Sequence, residues 1–473
     1  MAKSDGSQRT AESPRPWSHY VSSDERRAKG KALRDGVPRS SHAGWKPPKD
    51  RRDPVEIVRE SNEGRIPELI PIRMGRMGQS PFTFFRGAAA LMAADLARTP
   101  ASGLRVQACG DAHLANFGGF ATPERNIIFD INDFDETLPA PWEWDLKRLA
   151  ASVVIAAQHA QYRDSNAARM AVRVARAYRE QMADFASMRA LDVWYDHIDT
   201  SRFLAEAEGK TEKRGLRKHH EHLIAEARRK SAPEHLFPKL VESEGTLPKL
   251  KDEPPLLFHP DRALLPGVAS DYREAFELYR ESLPEHLRAL IDRFTFCDHA
   301  MKVVGVGSVG TRCSVMLLMA GEDDPLFLQV KEAGASVLEP YAGRSAHLNH
   351  GQRVVVGQRI MQAASDMLLG WTVGKDGHDF YVRQLRDAKI SGDFEGENAR
   401  LMPLYSRMCA RTLARAHARS GDAAMISGYL GSGGTFDDAI AEFAVEYADQ
   451  NRQDHRAFVR AIKEGRIKAT VEE

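Results

Sequence analysis

The chain has 473 residues, enough for two or three domain-sized units or for one large two-lobed enzyme. Its 42% hydrophobic and 28% charged residues exclude a disordered or fibrous chain and fit a globular protein. The 67 lysines and arginines nearly cancel the 66 aspartates and glutamates, so overall charge argues for neither a nucleic acid nor a membrane surface as partner.

Residues 1–40 are polar, lack the apolar core of a secretory signal, and are expected to be a flexible tail. Residues 41–295 read as one largely helical region. It opens with short helices broken by proline and glycine, followed by an Ala/Leu-rich buried helix over 86–97. The stretch GLRVQAC reads as a strand, NIIFDI as another, and a helix is expected to begin after Pro141. From about 165 to 295 the pattern is helical. The charged run at 210–230 interleaves glutamates with its basic residues and reads as a solvated helix face, not a nucleic-acid patch. PKLKDEPPLLFHPD reads as a surface loop.

Residues 296–395 change character. MKVVGVGSVGTRCSVMLLMAGEDDPLFLQVKEA reads as strand, glycine turn, strand, polar hairpin and strand. A helix is expected over HLNHGQRVVVGQRIMQAAS and a strand over DFYVRQLRD. Residues 396–473 are helical again. The four cysteines, Cys109, Cys297, Cys313 and Cys409, form no C-x-x-C pair, which argues against a zinc or disulfide framework and suits a reducing cytoplasm. No apolar run approaches the roughly 20 residues of a membrane span.

Two constellations carry chemistry. In GDAHLANFG, Asp111 and Asn116 stand five apart, and Asp133 follows the next strand in NDFDE. Phosphoryl transfer needs a carboxylate to receive the nucleophile's proton and hard oxygen ligands for magnesium, and this order is that of a kinase catalytic loop and metal aspartate. A structural cluster of Asx turns is the alternative. In the second, Gly305, Gly307 and Gly310 make a G-x-G-x-x-G turn between strands, and Lys331 sits on a following strand in VKEA. A glycine turn between strands suits phosphates better than a dinucleotide turn does, and an ordinary hairpin with an edge lysine is the alternative.

Several neighbours are ambiguous. Asp135 either joins Asp133 at the metal or caps the turn. His113 reads as a hydrogen-bonding loop residue or a ligand, and Asp130 as the partner of a surface base. Glu339 is the candidate partner of Lys331, while Glu332 belongs to the opposite strand face. Arg73, Arg76 and Arg86 read as surface or structural arginines, with a clamp on an acidic substrate as the alternative.

The motifs GDAHLANF and PWEWDLKRL resemble the small-molecule phosphotransferases of the aminoglycoside and choline type. That resemblance implies Asp111 as base and Asp145 as a brace under its loop; the sequence departs from it at Cys109, where those enzymes carry histidine. Most of the chain, from RMGRMGQSPFTFFRGAAALMAADLA through CGDAHLANFG and FDINDFDETLPAPWEWDLKRLAAS to YADQNRQDH, resembles the bacterial family called domain of unknown function 2252. That resemblance implies a kinase-like fold without naming a substrate.

The expectation is therefore an α+β, two-lobed, protein-kinase-like fold with a large helical portion. It is circularly permuted, because the catalytic loop precedes the glycine loop. The expected activity is ATP- and Mg²⁺-dependent phosphotransfer to an unknown acceptor, more naturally a small molecule than a protein. Asn116, Asp133 and Asp135 would hold metal, and Gly305, Gly307, Gly310, Lys331 and Glu339 would hold nucleotide. The alternatives are a nucleotide-binding regulatory pseudoenzyme and an AMP transferase on the same fold.

Overall fold

The computed structural model describes residues 20–199, 221–222, 224–229, 233–242, 248–259, 272–303, 305–385, 390–391 and 396–470. The architecture is mixed α+β, with antiparallel sheets beside a large helical body.

The largest sheet grows from the glycine-rich part of the chain. Across it lie Gly370–Val373, Asp379–Gln384, Pro325–Glu332, Cys313–Met319, Thr295–Lys302 and Leu257–Phe258, each antiparallel to its neighbour. Alternation explains the strands. Val315 and Leu317 pack on one face with Leu250, Ala300 and Phe327, while Met316 and Leu318 pack on the other with Tyr279, Leu283 and Ile291. The expected succession of strand, glycine turn, strand, hairpin and strand is present, and its first strand runs back to Thr295. The Pro-rich stretch expected to be a surface loop contributes the edge strand Leu257–Phe258, which pairs with Lys302 and Met301.

The helical body centres on Trp142–His159. Every residue from Trp142 to Ala157 is buried, including the charged Glu143, Asp145, Lys147 and Arg148 of its first two turns. Asp164–Phe185, Met402–Ser420 and Thr435–Lys463 pack with it, so the C-terminal helices share one apolar core with the first two hundred residues. The single helix expected over 86–97 is two, Pro81–Gly87 and Ala89–Leu96, divided at Ala88.

Within the expected tail, residues 1–19 lie outside the described residues, but Ser23–Ala32 is a helix capped by Ser22. It crosses Ala423–Leu430 so closely that a Cβ on Gly30 would lie 2.0 Å from Met425 O. Its charged face hides this from a composition reading, because a glycine contact and not an apolar stripe docks it. Of the charged run at 210–230, residues 210–220 lie outside the described residues, and 224–229 are helical. Among the described residues no helix is long and apolar enough to cross a membrane.

Smaller strands place the two acidic loops. Arg105–Ala108 pairs with Leu138–Pro141, which sets Ala108 opposite Leu138. Phe117–Ala121 pairs with Ile127–Ile131, which sets Phe117 opposite Ile131. The loops 109–116 and 132–137 therefore start and end side by side.

Candidate active site

The loop carrying Asp111 is braced from below. Asp145, in the first turn of Trp142–His159, accepts hydrogen bonds from Cys109 N (2.6 Å) and Gly110 N (2.9 Å). His417 Nε2 lies 3.2 Å from the same carboxylate, and its Nδ1 shares a hydrogen bond with Tyr178 Oη (2.8 Å). Gly110 has φ +82°, and a Cβ there would lie 2.3 Å from Glu136 O, so only glycine fits. Cys109, the position where the sequence departs from the small-molecule phosphotransferases, donates its thiol to Asp133 O (3.4 Å). Burial pushes that thiol's pKa well up and keeps the proton on the sulfur. The cysteine thus ties the two acidic loops together.

Asp111 lines the cleft and is held by Arg148 Nε, which donates to Oδ1 at 2.6 Å. Burial raises the Asp111 pKa, and Arg148 opposes the rise. His113 Nε2 lies 3.8 Å from Asp111 Oδ2, and burial lowers its pKa so far that the ring is neutral. Asn116 Nδ2 donates to Asp111 O (2.8 Å), and the residue lines the same cleft.

Lys331 is 2% exposed on the strand Pro325–Glu332. Register places Cys313 and Tyr381 directly beside it. Its Nζ donates to Asp135 Oδ2 (2.8 Å) and lies 3.8 Å from Asp133 Oδ1. Burial alone would lower its pKa, but Asp133 and Asp135 more than offset this and hold it well above the ordinary lysine value. Tyr381 Oη donates to the other Asp135 oxygen (2.7 Å). The turn cap belongs to Asp133, whose Oδ1 accepts from Asp135 N (3.3 Å), and not to Asp135.

Glu339 does not meet Lys331. Its carboxylate accepts from Ser336 N (3.4 Å) and lies 3.8 Å from His350 Nδ1. Asp135 fills the role expected of it. Asp130, expected beside a surface base, pairs instead with the buried Arg415. Glu332 accepts from Arg312 N (2.8 Å) at the end of the lysine strand.

The glycine loop turns at Gly305 (φ +71°) and Gly310 (φ +89°), conformations that favour glycine. An earlier segment of the chain pins it. Arg76 donates to Gly305 O (2.6 Å), Arg65 to Val309 O (2.6 Å), and Ile66 N to Gly310 O (2.8 Å). Val306 is buried among Met74, Met77 and Phe84.

Asp111, Asn116, Asp133, Asp135, Gly305 and Gly307 all line one cavity of about 370 Å³. Lys331 reaches its edge through the two aspartates, and Gly310 and Glu339 stand outside its lining. Among the described residues no three His, Cys, Asp or Glu side chains are gathered closely enough to hold a metal alone. The oxygens in the cavity still fit magnesium. They are hard ligands, and Mg²⁺ is held by one or two carboxylates with water and phosphate completing its shell.

Neither the curated proteins nor the solved structures include a match to this chain. The family described as an uncharacterized protein conserved in bacteria (DUF2252) matches residues 65–461, which include every candidate site residue. The chain belongs to that family.

Proposed function

We propose that the chain is an ATP- and Mg²⁺-dependent phosphotransferase with a circularly permuted, two-lobed, kinase-like arrangement, acting on a small-molecule acceptor. The observation that carries this reading is the Lys331–Asp135 contact, made between residues 196 apart in sequence at the rim of a cavity that also holds Asp111 and the glycine loop. A permuted order of catalytic and glycine loops requires such a meeting.

Asn116, Asp133 and Asp135 would hold the magnesium. When bound, the ion would offset the charge of the nucleotide phosphates. Lys331 supplies a fixed positive charge beside these carboxylates for the nucleotide phosphates, and Gly305 and Gly307 of the glycine loop line the same cavity. Arg148 fixes Asp111 through Oδ1, which leaves Oδ2 to take a proton. The acceptor hydroxyl gives its proton to Asp111, its oxygen bonds to the γ-phosphorus, and the bond from that phosphorus to the β-phosphate oxygen breaks to release ADP. A raised carboxyl pKa improves Asp111 as a proton acceptor.

The experiment is incubation of the protein with ATP, Mg²⁺ and a metabolite extract, followed by mass analysis, with α- and γ-labelled ATP in parallel. Label passing from the γ position supports the reading. Label passing from the α position indicates AMP transfer, and a protein that binds no nucleotide sinks both.

A further inference from the structure

The cavity has a wall that the proposed chemistry does not use. Arg65, Arg73 and Arg86 line it, and none of the three is in contact with a carboxylate among the described residues. Arg73 is buried and held as a strut through both terminal nitrogens, which donate to Ser61 Oγ (3.2 Å), Asn62 Oδ1 (2.6 Å) and Gly87 O (2.8 Å), while its Nε has no partner. Arg65 bonds to Ser61 O (3.0 Å) and Val309 O (2.6 Å). The Arg86 side chain makes no hydrogen bond among the described residues. Its Nε is buried without a partner, and the ring nearest its guanidinium is Phe82, 6.0 Å away. Burial lowers the pKa of all three; Glu136, Glu332 and Asp135 oppose this through space at Arg65, Asp111, already paired with Arg148, opposes it at Arg86, and no carboxylate opposes it at Arg73.

Desolvated guanidinium groups are costly, and a structural arginine normally resembles Arg73 in having its terminal nitrogens engaged, whereas neither terminal nitrogen of Arg86 has a hydrogen bond among the described residues. A second feature points the same way. The helix Ala89–Leu96 begins at this wall, Ala88 gives it no side-chain cap, and Ala89 and Ala90 line the cavity. Uncapped helix amides beside free guanidinium donors form an anion site.

Resting on the phosphotransferase reading, we propose that this wall is the acceptor subsite. The acceptor is then an anionic small molecule whose phosphate or carboxylate group pairs with Arg86 and the helix start, with Arg65 beside them. The Arg86 side chain acts through space on Asp111, the proton acceptor, while Lys331 acts on Asp133 and Asp135; the backbone of Arg86 lies beside Gly307, where a Cβ would sit 3.5 Å from its carbonyl oxygen.

The test titrates the full chain with inorganic phosphate and with succinate by calorimetry, with and without saturating Mg²⁺ and a non-hydrolysable ATP analogue. At least one anion is expected to bind in both conditions. Arg86→Gln should weaken it about tenfold to a hundredfold, as loss of a charge-assisted contact implies. Arg86→Lys should recover part of the loss, and neither variant should change analogue affinity more than about twofold, since Lys331 and not the Arg86 side chain is the proposed contact of the nucleotide phosphates. Ala90→Glu, which leaves Arg86 in place and adds a carboxylate to the wall, should abolish anion binding in a folded protein. Competition between the anion and the analogue would assign the wall to the nucleotide's terminal phosphate and overturn the proposal. So would anion binding indifferent to Arg86→Gln and Ala90→Glu, or no anion binding at all. If the analogue fails to bind while the anion still depends on Arg86, the phosphotransferase reading and the acceptor role fall, and the anion site stands.

Discussion

Two buried ion pairs begin five residues apart and behave differently. Asp130 receives Arg415 Nη2 on both oxygens (2.6 and 2.7 Å), together with Ile131 N (2.9 Å) and Ala363 N (2.8 Å). Its side chain is 0% exposed and that of Arg415 1%, so the pair is dry and closed to solvent. Asp135 receives Lys331 and Tyr381, yet its side chain keeps 31% exposure where it faces the cavity. The first pair joins the acidic strand to the C-terminal helix Met402–Ser420 and has no room for a ligand. The second joins a loop to a sheet and retains a polar surface. Burial and pairing alone therefore do not mark a functional charge; an open side on a cavity does.

Breaking the closed pair should have the largest effect on folding. Arg415→Ala leaves Asp130 as an unmatched buried charge, and we expect a loss of about 3–5 kcal/mol in denaturant unfolding. Nucleotide affinity of the protein that remains folded should be unchanged; a selective loss of affinity would erase the contrast. Asp111→Asn attacks chemistry instead. Transfer should fall roughly 10²-fold or more with near-normal ATP binding, because positioning and phosphate electrostatics survive. A wild-type rate in this variant would refute the assignment of the base.

Lys331→Ala should weaken Mg²⁺·ATP binding about tenfold or more. It should destabilise the fold less than Arg415→Ala, by about 1–3 kcal/mol, because water in the cavity can reach Asp135. Equal destabilisation by the two variants would show both pairs to be structural. Asp133→Asn should lower nucleotide affinity in the presence of Mg²⁺ and leave metal-free binding nearly unaltered, as read by calorimetry.

The smallest expected effect concerns Glu136, on the same loop. Burial raises its carboxyl pKa to about 7. The folded state therefore binds a proton that the unfolded chain has released, and stability falls as pH rises from about 4.5 to about 7. Glu136→Gln should remove a slope on the order of 2 kcal/mol across that window, measured as wild-type minus variant stability. Parallel pH curves for the two proteins would contradict the shift.

Local features are legible in the amino-acid sequence. The largely apolar run from Cys313 to Met319 indicates a strand buried on both faces, and the five-residue spacing of Asp111 and Asn116 lies within a single loop. Partners remote in sequence are not legible there. Lys331 finds Asp135 rather than the nearby Glu339, and Asp145 finds His417 from a helix 272 positions later. Arg148 does carry a sequence signal. A charged residue inside a run as apolar as Trp142–His159 is rarely buried without a partner, which makes a nearby carboxylate such as Asp111 a natural candidate. The unpaired state of Arg86 carries none, since sequence spacing does not reveal what a side chain fails to touch.

The crossing of Ser23–Ala32 over Ala423–Leu430 has a consequence for biosynthesis. The helix emerges from the ribosome long before its binding groove exists, and Trp45 likewise awaits Phe443 and Tyr447. The first helix therefore has no native partner until residues 423–430 have been translated, whereas Pro54–Glu60 already packs on Ala89–Leu96 within the first hundred residues. The cavity inherits that delay, since the segment pinning the glycine loop packs through Phe84 onto Phe458, near the end of the last helix. A nascent chain arrested before residue 435 would carry both acidic loops and the glycine loop yet lack the scaffold that brings their walls together.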